Sequence, residues 1–266
     1  QFMIGALANL EIYLAYNILT ILCCAALFPL ALTKIPQPET PSAPRLRPML
    51  AWRISPLAVI GVIVAAMSSA SFRMVGPIYG QEVGLQASQI GYFLAAFVAG
   101  GALAQYPTGW LADKYDRRWV LIGMSVAAVV SCAFTVLTAS LGTLGVMLAA
   151  GFFGLTSFPI YSISAAHAHD FATSKERVEL SAALMFFYAT GAIAAPWFTS
   201  ALITAFGPAA LFVFIALGHI ALVIFGLVRM RVREAPGART PYVYAPRTSF
   251  TIGRLLRRTR DVDQVD

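Results

Sequence analysis

Seven apolar runs, each about as long as the ~20 residues a helix needs to cross a hydrocarbon core of roughly 30 Å, constrain this chain more than any other feature. They cover Leu10–Thr33, Ile54–Tyr79, Ile90–Ala112, Trp119–Ala139, Gly142–Ala166, Leu180–Ala205 and Pro208–Val228. With 59% hydrophobic and 12% charged residues and a mean hydropathy of +0.74, the chain carries more apolar surface than one water-soluble core can bury. Lipid must cover the remainder. The expected class is an all-α integral membrane protein with the lipid bilayer as its principal partner. Residues 1–8 read as the tail of an eighth, truncated helix; Gln1 follows no initiator Met or signal-peptide pattern, so the sequence is expected to begin inside a longer protein.

The charges say which way the runs are threaded. Lys34, Arg45, Arg47 and Arg53 follow the first run; Lys114, Arg117 and Arg118 occupy one later loop, Lys175 and Arg177 another, and nine arginines the tail from Arg229 to Arg260. Eighteen of the nineteen basic residues thus share one face, which the positive-inside rule assigns to the cytoplasm, together with the carboxyl terminus. A formal charge of +7 distributed in this way marks membrane orientation and argues against nucleic acid as a partner. Prolines without a backbone donor make residues 34–53 a cytoplasmic linker. The expected organisation is therefore the last transmembrane helix of a preceding bundle (1–33), the linker (34–53), a six-helix transmembrane bundle (54–228) and an Arg-rich disordered cytoplasmic tail (229–266).

One loop carries a motif. In Gly109-Trp-Leu-Ala-Asp113-Lys114-Tyr-Asp116-Arg117-Arg118 two acids and three bases share a tight turn between two spans. Read from the residues alone, the segment is either a charged positive-inside loop or a built turn in which a carboxylate caps a neighbouring helix. The pattern of a Gly, an Asp and following bases resembles the signature loop of the major facilitator superfamily (MFS). Gly109, Asp113, Lys114, Arg117 and Arg118 match it, and Asp116 stands where a second Gly is usual. Ala102-Leu-Ala-Gln105-Tyr106-Pro107, Phe158-Pro159-Ile160-Tyr161-Ser162 and the Gly191–Pro196 run are similar to the YcaD-type branch. The resemblance extends over residues 10–228 and implies the carboxyl-terminal half of a 12-helix transporter: an MFS-type six-helix bundle with one preceding transmembrane helix. It also implies a secondary active carrier of the bacterial cytoplasmic (inner) membrane that moves a small solute by alternating access, and a missing amino-terminal six-helix half as partner. By the same resemblance Asp113 would gate by capping a helix of that missing half.

Arg73 is the one basic residue off the basic face. A charge within a span faces a cavity or bundle interior, or snorkels to the surface and pairs there, with Glu82 the nearest acid; either an anion anchor or an outer-end ion pair fits the sequence. Gln105, Tyr106, Tyr161, Ser162 and Tyr188 complete the candidate substrate cavity, since the resemblance puts them on cavity-lining helices; interhelical hydrogen bonding is the alternative for each. Gly151, Gly154 and Pro159 in one span, and Gly191 and Pro196 in the next, fit close helix approach and bending. His167, His169 and Asp170 lack further ligands at metal spacing and fit gating better, while His219 reads as a packing residue. Cys23, Cys24 and Cys132 read as small core residues.

No nucleotide-binding loop, catalytic triad order or metal pattern occurs, so neither an enzyme nor any cofactor or metal site is expected. No carboxylate falls at mid-depth of a run, which would leave a proton-coupling acid to the missing half. Solute identity is open between lipophilic compounds and organic anions. A non-transporting sensor or assembly protein on the same bundle is the rival class.

Overall fold

Caps and short polar turns cut the apolar runs into helices. The computed structural model describes residues 12–32, 46–139 and 142–232. The expected tail of an eighth helix (1–8), the Pro-rich residues 34–45 and the Arg-rich residues 233–266 lie outside them. The described residues form nine helices and no strand: α1 (Ile12–Ala31), α2 (Pro48–Ile54), α3 (Pro56–Glu82), α4 (Ala87–Lys114), α5 (Arg117–Thr138), α6 (Thr143–Ser157), α7 (Ile160–His169), α8 (Arg177–Phe206) and α9 (Ala210–Val232). Pro159 separates α6 from α7. Lacking an N–H, it leaves the carbonyl of Leu155 without its helical donor, yet both pieces belong to one span, Thr143–His169. With that span counted once, six helices are long and apolar enough to cross a membrane. They match the six runs expected over residues 54–228. α1 is apolar from Tyr16 to Pro29, with most of its described side chains exposed.

The helix starts follow capping chemistry. The Ser55 hydroxyl accepts from the Ala58 N–H at 3.3 Å ahead of Pro56, and the Gln89 side chain accepts from the Gln86 N–H at 2.8 Å. Asp116 caps α5 by accepting from the Arg118 N–H at 2.9 Å with extended backbone angles (φ −62°, ψ 117°). The carboxylate thus serves the turn as a cap, and no left-handed residue is needed there. At the other end of the bundle the turns run through Gly84, Gly142 and Gly207, with φ between 81° and 86°, a region that favours glycine.

Helix α3 is the central element, packed against α7, α8 and α9. Near its end distal to the basic loops, Phe72 is fully buried among Phe97 (centroids 4.3 Å apart), Phe93 (4.9 Å), Phe153 (5.4 Å) and Phe212 (6.3 Å), joining α3 to α4, α6 and α9. Aliphatic packing dominates the basic end, where Leu50, Ala51 and Ile54 join Val59, Val62, Leu180 and Leu184. α4 and α6 meet backbone to backbone. A Cβ on Gly100 would lie 1.9 Å from the Gly151 oxygen, and one on Gly154 1.9 Å from the Phe97 oxygen. Gly191 is tight but less close, with Ile63 O at 3.0 Å from its would-be Cβ.

Three expectations need correction. Residues 48–53 of the expected linker are helical, in a helix that runs on to Ile54, because Pro48 starts a turn whose apolar side is buried against α8. Residues 229–232 continue α9 and are not part of a tail. Of the cysteines only Cys132 is in the core; Cys23 and Cys24 are exposed on α1.

Candidate functional site

The helical repeat brings one face of α3 to a cavity. Ala65, Ser69 and Arg73 recur every four residues, so they stack along one side of the helix. Gln105 of α4 faces them, Ser157, Phe158, Tyr161 and Ser162 come from the α6–α7 junction, and Met185 and Tyr188 from one face of α8. Together they line a cavity of about 320 Å³. That lies at the lower end of the ~300–1,000 Å³ of small-molecule sites.

Five of the six expected cavity residues therefore meet: Arg73, Gln105, Tyr161, Ser162 and Tyr188. Tyr106 does not. One residue beyond Gln105, it is turned about 100° around the helix and is 68% exposed on another face. Arg73 stands roughly 13 Å from the Glu82 end of α3 at 1.5 Å per residue. It makes no ion pair among the described residues, and its guanidinium carbon lies 5.8 Å from the centroid of Phe158. Pairing with Glu82 is therefore not what the structure shows. Tyr161 and Tyr188 meet edge to face at 5.3 Å. The Ser157 hydroxyl is buried beside the α6–α7 break and has no hydrogen-bond partner among the described residues.

Ala65, Ser69, Ser157, Phe158 and Met185 escaped the sequence reading. Periodicity could have supplied three: Ala65 and Ser69 lie four and eight residues before Arg73, and Met185 lies three before Tyr188. Ser157 and Phe158 flank a break that interrupts the repeat.

The motif segment forms a second cluster at the basic end. Gly109, Asp113 and Lys114 lie in the last turns of α4, so the loop proper is only Tyr115 and Asp116. Arg117 is the hub. It donates to Asp113 at 3.0 Å, to Asp170, and to the carbonyls of Ala112 (3.3 Å) and Ala166 (3.0 Å), tying α4 and α5 to the end of α7. Arg118 is 8% exposed and clasps Asp116 with contacts of 2.7–3.2 Å. The Lys114 ammonium lies over Trp110, 4.7 Å from its centroid. A Cβ on Gly109 would meet nothing within 4 Å among the described residues, so that glycine makes no close helix contact with them. Beyond the hub, Arg53 pairs with Glu176 at 3.7 Å and Arg47 with Glu179 at 3.5 Å, fastening α2 to the start of α8. Hydrogen bonds from the Thr173 hydroxyl (2.7 Å) and N–H (3.2 Å), aided by Arg53 and Arg47, lower the Glu176 pKa from its ordinary value.

The histidines diverge. The His167 ring packs on Phe171, Asp170 turns to Arg117, and His169 Nε2 lies 3.2 Å from the Ser181 hydroxyl. His219 is fully buried with Nε2 3.0 Å from the Ser68 hydroxyl. Ser68 gives its one proton to the Val64 carbonyl at 2.8 Å, so the ring donates from Nε2. Packing and a hydrogen bond both hold it.

A transmembrane helical bundle with a largely apolar cavity that holds one arginine, an amide and hydroxyls, and with a charged interhelical turn at one end, is the architecture of a solute-transporter family. The Major Facilitator Superfamily model matches residues 58–261, and the chain belongs to that superfamily. It is 30% identical over 223 residues to an uncharacterized MFS-type transporter of Enterobacter sp. (strain 638), an alignment covering 83% of this chain and 56% of the relative. It is likewise 30% identical over 200 residues to the uncharacterized MFS-type transporter YcaD of Escherichia fergusonii, covering 74% and 51%. A Yersinia pestis MFS-type transporter matches at 30% over 196 residues, 73% of this chain and 48% of its own. The chain spans about half the length of the curated relatives it matches. It is an integral membrane protein of a transporter family rather than of an enzyme family.

Proposed function

We propose that the full-length protein is a secondary active carrier that moves a small solute across the bacterial cytoplasmic membrane by alternating access, with this chain forming one wall of the central cavity. The observation that carries the reading is the cavity itself: one lone cation, hydroxyls and an amide from four separate segments converge in a bundle whose outer surface is apolar. A structural core would close such a space with aliphatic side chains. In this reading residues 54–228 are the carboxyl-terminal bundle, residues 1–33 end the amino-terminal one, and the missing six-helix half closes the cavity. The basic loops and the carboxyl terminus face the cytoplasm, as the arginine distribution supports.

The Asp113–Arg117–Asp170 cluster is the gate-side latch. It couples the α4–α5 turn to α7, the helix that also lines the cavity through Tyr161 and Ser162. Solute uptake into sealed proteoliposomes containing the full-length gene product tests the carrier reading. Accumulation driven by an ion gradient and impaired by Asp113→Asn is the expected result; ligand binding with no flux in either direction would refute it and favour a sensor.

A further inference from the structure

Resting on the carrier reading, we infer that the cavity takes a small organic monoanion with an aromatic body, an aromatic carboxylate being the simplest member of the class. Charge comes first. The cavity wall holds one formal charge, Arg73, and no Asp or Glu among its ten lining residues. A guanidinium within a membrane span without a counter-ion is costly, and among the described residues Arg73 has only the face of Phe158. That contact cannot neutralise a full charge. A ligand carboxylate supplies the counter-charge and accepts two parallel N–H donors. A cation would meet repulsion in the same wall.

The body of the ligand follows from the remaining walls. Phe158 and the Tyr161–Tyr188 edge-to-face pair present flat aromatic surface, and Met185 adds an adaptable apolar side. The part of the cavity that this chain lines, about 320 Å³, has room for a single ring with short substituents. The buried Ser157 hydroxyl, unpartnered among the described residues and lining this cavity, is left to hydrogen-bond the occupant.

The test is competition binding to the full-length gene product in lipid nanodiscs, with benzoate, 4-hydroxybenzoate, benzamide and benzylamine as probes of matched shape and differing charge. The expected result is that one of the two anions binds at least about tenfold more tightly than benzamide and benzylamine, as one desolvated charge pair supplies. Arg73→Gln is expected to bring that ratio to within about twofold, and Arg73→Lys to keep part of it. Equal or tighter binding of benzamide or benzylamine, absence of anion binding at millimolar concentration, or an unchanged ratio in Arg73→Gln would overturn the inference. An acid of the other half that neutralises Arg73 would produce the first or second result. The wild-type charge series stands even if the variants fold poorly. Failures are separable: anion-selective binding without flux defeats the carrier reading alone, whereas flux of benzylamine without anion binding defeats this inference alone.

Discussion

The contact of α4 with α6 gives the sharpest test of the packing, through Gly154→Ala. The added methyl would stand 1.9 Å from the Phe97 oxygen and 2.7 Å from its carbonyl carbon, where ordinary contact begins at 3.4 Å. The obstacle is backbone held in a helix, so it cannot swing aside as a side chain would. The helices must part locally by the difference, 1.5 Å. Parting loosens the Phe72–Phe97 and Phe97–Phe153 ring contacts, now 4.3 and 5.5 Å between centroids. Overpacking costs about 1–3 kcal/mol and each weakened ring pair a fraction of ~1 kcal/mol, offset by about 1 kcal/mol from the better helix propensity of Ala. The net loss is about 1–3 kcal/mol, or roughly 3–10 °C in apparent unfolding temperature by the size scaling of soluble domains. Gly123→Ala is the control: its Cβ would meet nothing within 4 Å among the described residues, so only the propensity gain applies. Tryptophan fluorescence during heating in detergent reads both. Gly154→Ala unfolding at or above the temperature of Gly123→Ala would refute the packing argument.

Arg117→Ala removes the hub from Asp113 and Asp170; because all three groups are partly exposed, the loss is about 1–2 kcal/mol rather than the full cost of breaking a buried pair, measurable in the same melts. Glu176 has a lowered folded-state pKa, so its hydrogen-bonded carboxylate stabilises the fold fully above the unfolded value, and the contribution is lost as pH falls through the folded value. The acid-induced drop in melting temperature below about pH 4.5 is therefore expected to be smaller in Glu176→Gln than in wild type. His219→Ala leaves Ser68 bonded to the Val64 carbonyl and opens a cavity, at about 2–4 kcal/mol; a neutral outcome would show that the ring is not closely packed.

What the sequence disclosed depended on whether the responsible physics is local. Spans were legible because membrane thickness sets a length that apolar runs either meet or miss. Arg73, Gln105, Tyr161 and Tyr188 were legible because polar groups within such runs are costly and therefore few. Tyr106 lies off this cavity because one residue along a helix is about a quarter-turn, which a list of polar residues ignores. α2 was hidden because Pro48 reads as a breaker in a Pro-rich stretch, whereas at N1 it starts a helix. The Arg117–Asp113 pair could be read from its i,i+4 spacing; Asp170, 53 residues from Arg117, is joined only by tertiary structure. Cys23 and Cys24 look the same in sequence whether core or lipid surrounds them, since either environment accepts a small apolar side chain.

Phe72 and Arg73 are neighbours on α3 with opposite tasks, and their juxtaposition explains how an open space holding a cation survives beside a close-packed core. Phe72 is locked by four rings from three other helices, which fixes the rotation of α3 and so directs the next side chain, about 100° away, into the cavity. Two hydrogen bonds support that rotation on the same helix: Ser68 with His219, and Ser71 with Thr199 at 2.8 Å. The opposite wall is built differently. At the α6–α7 junction Pro159 interrupts the helix beside the Ser157 hydroxyl, which has no hydrogen-bond partner among the described residues. Pro77 likewise withholds a helical donor from the Arg73 carbonyl, yet α3 runs unbroken from Pro56 to Glu82. The ring cluster around Phe72 thus sits where α3 stays continuous despite its proline, whereas the wall across the cavity is divided at its own.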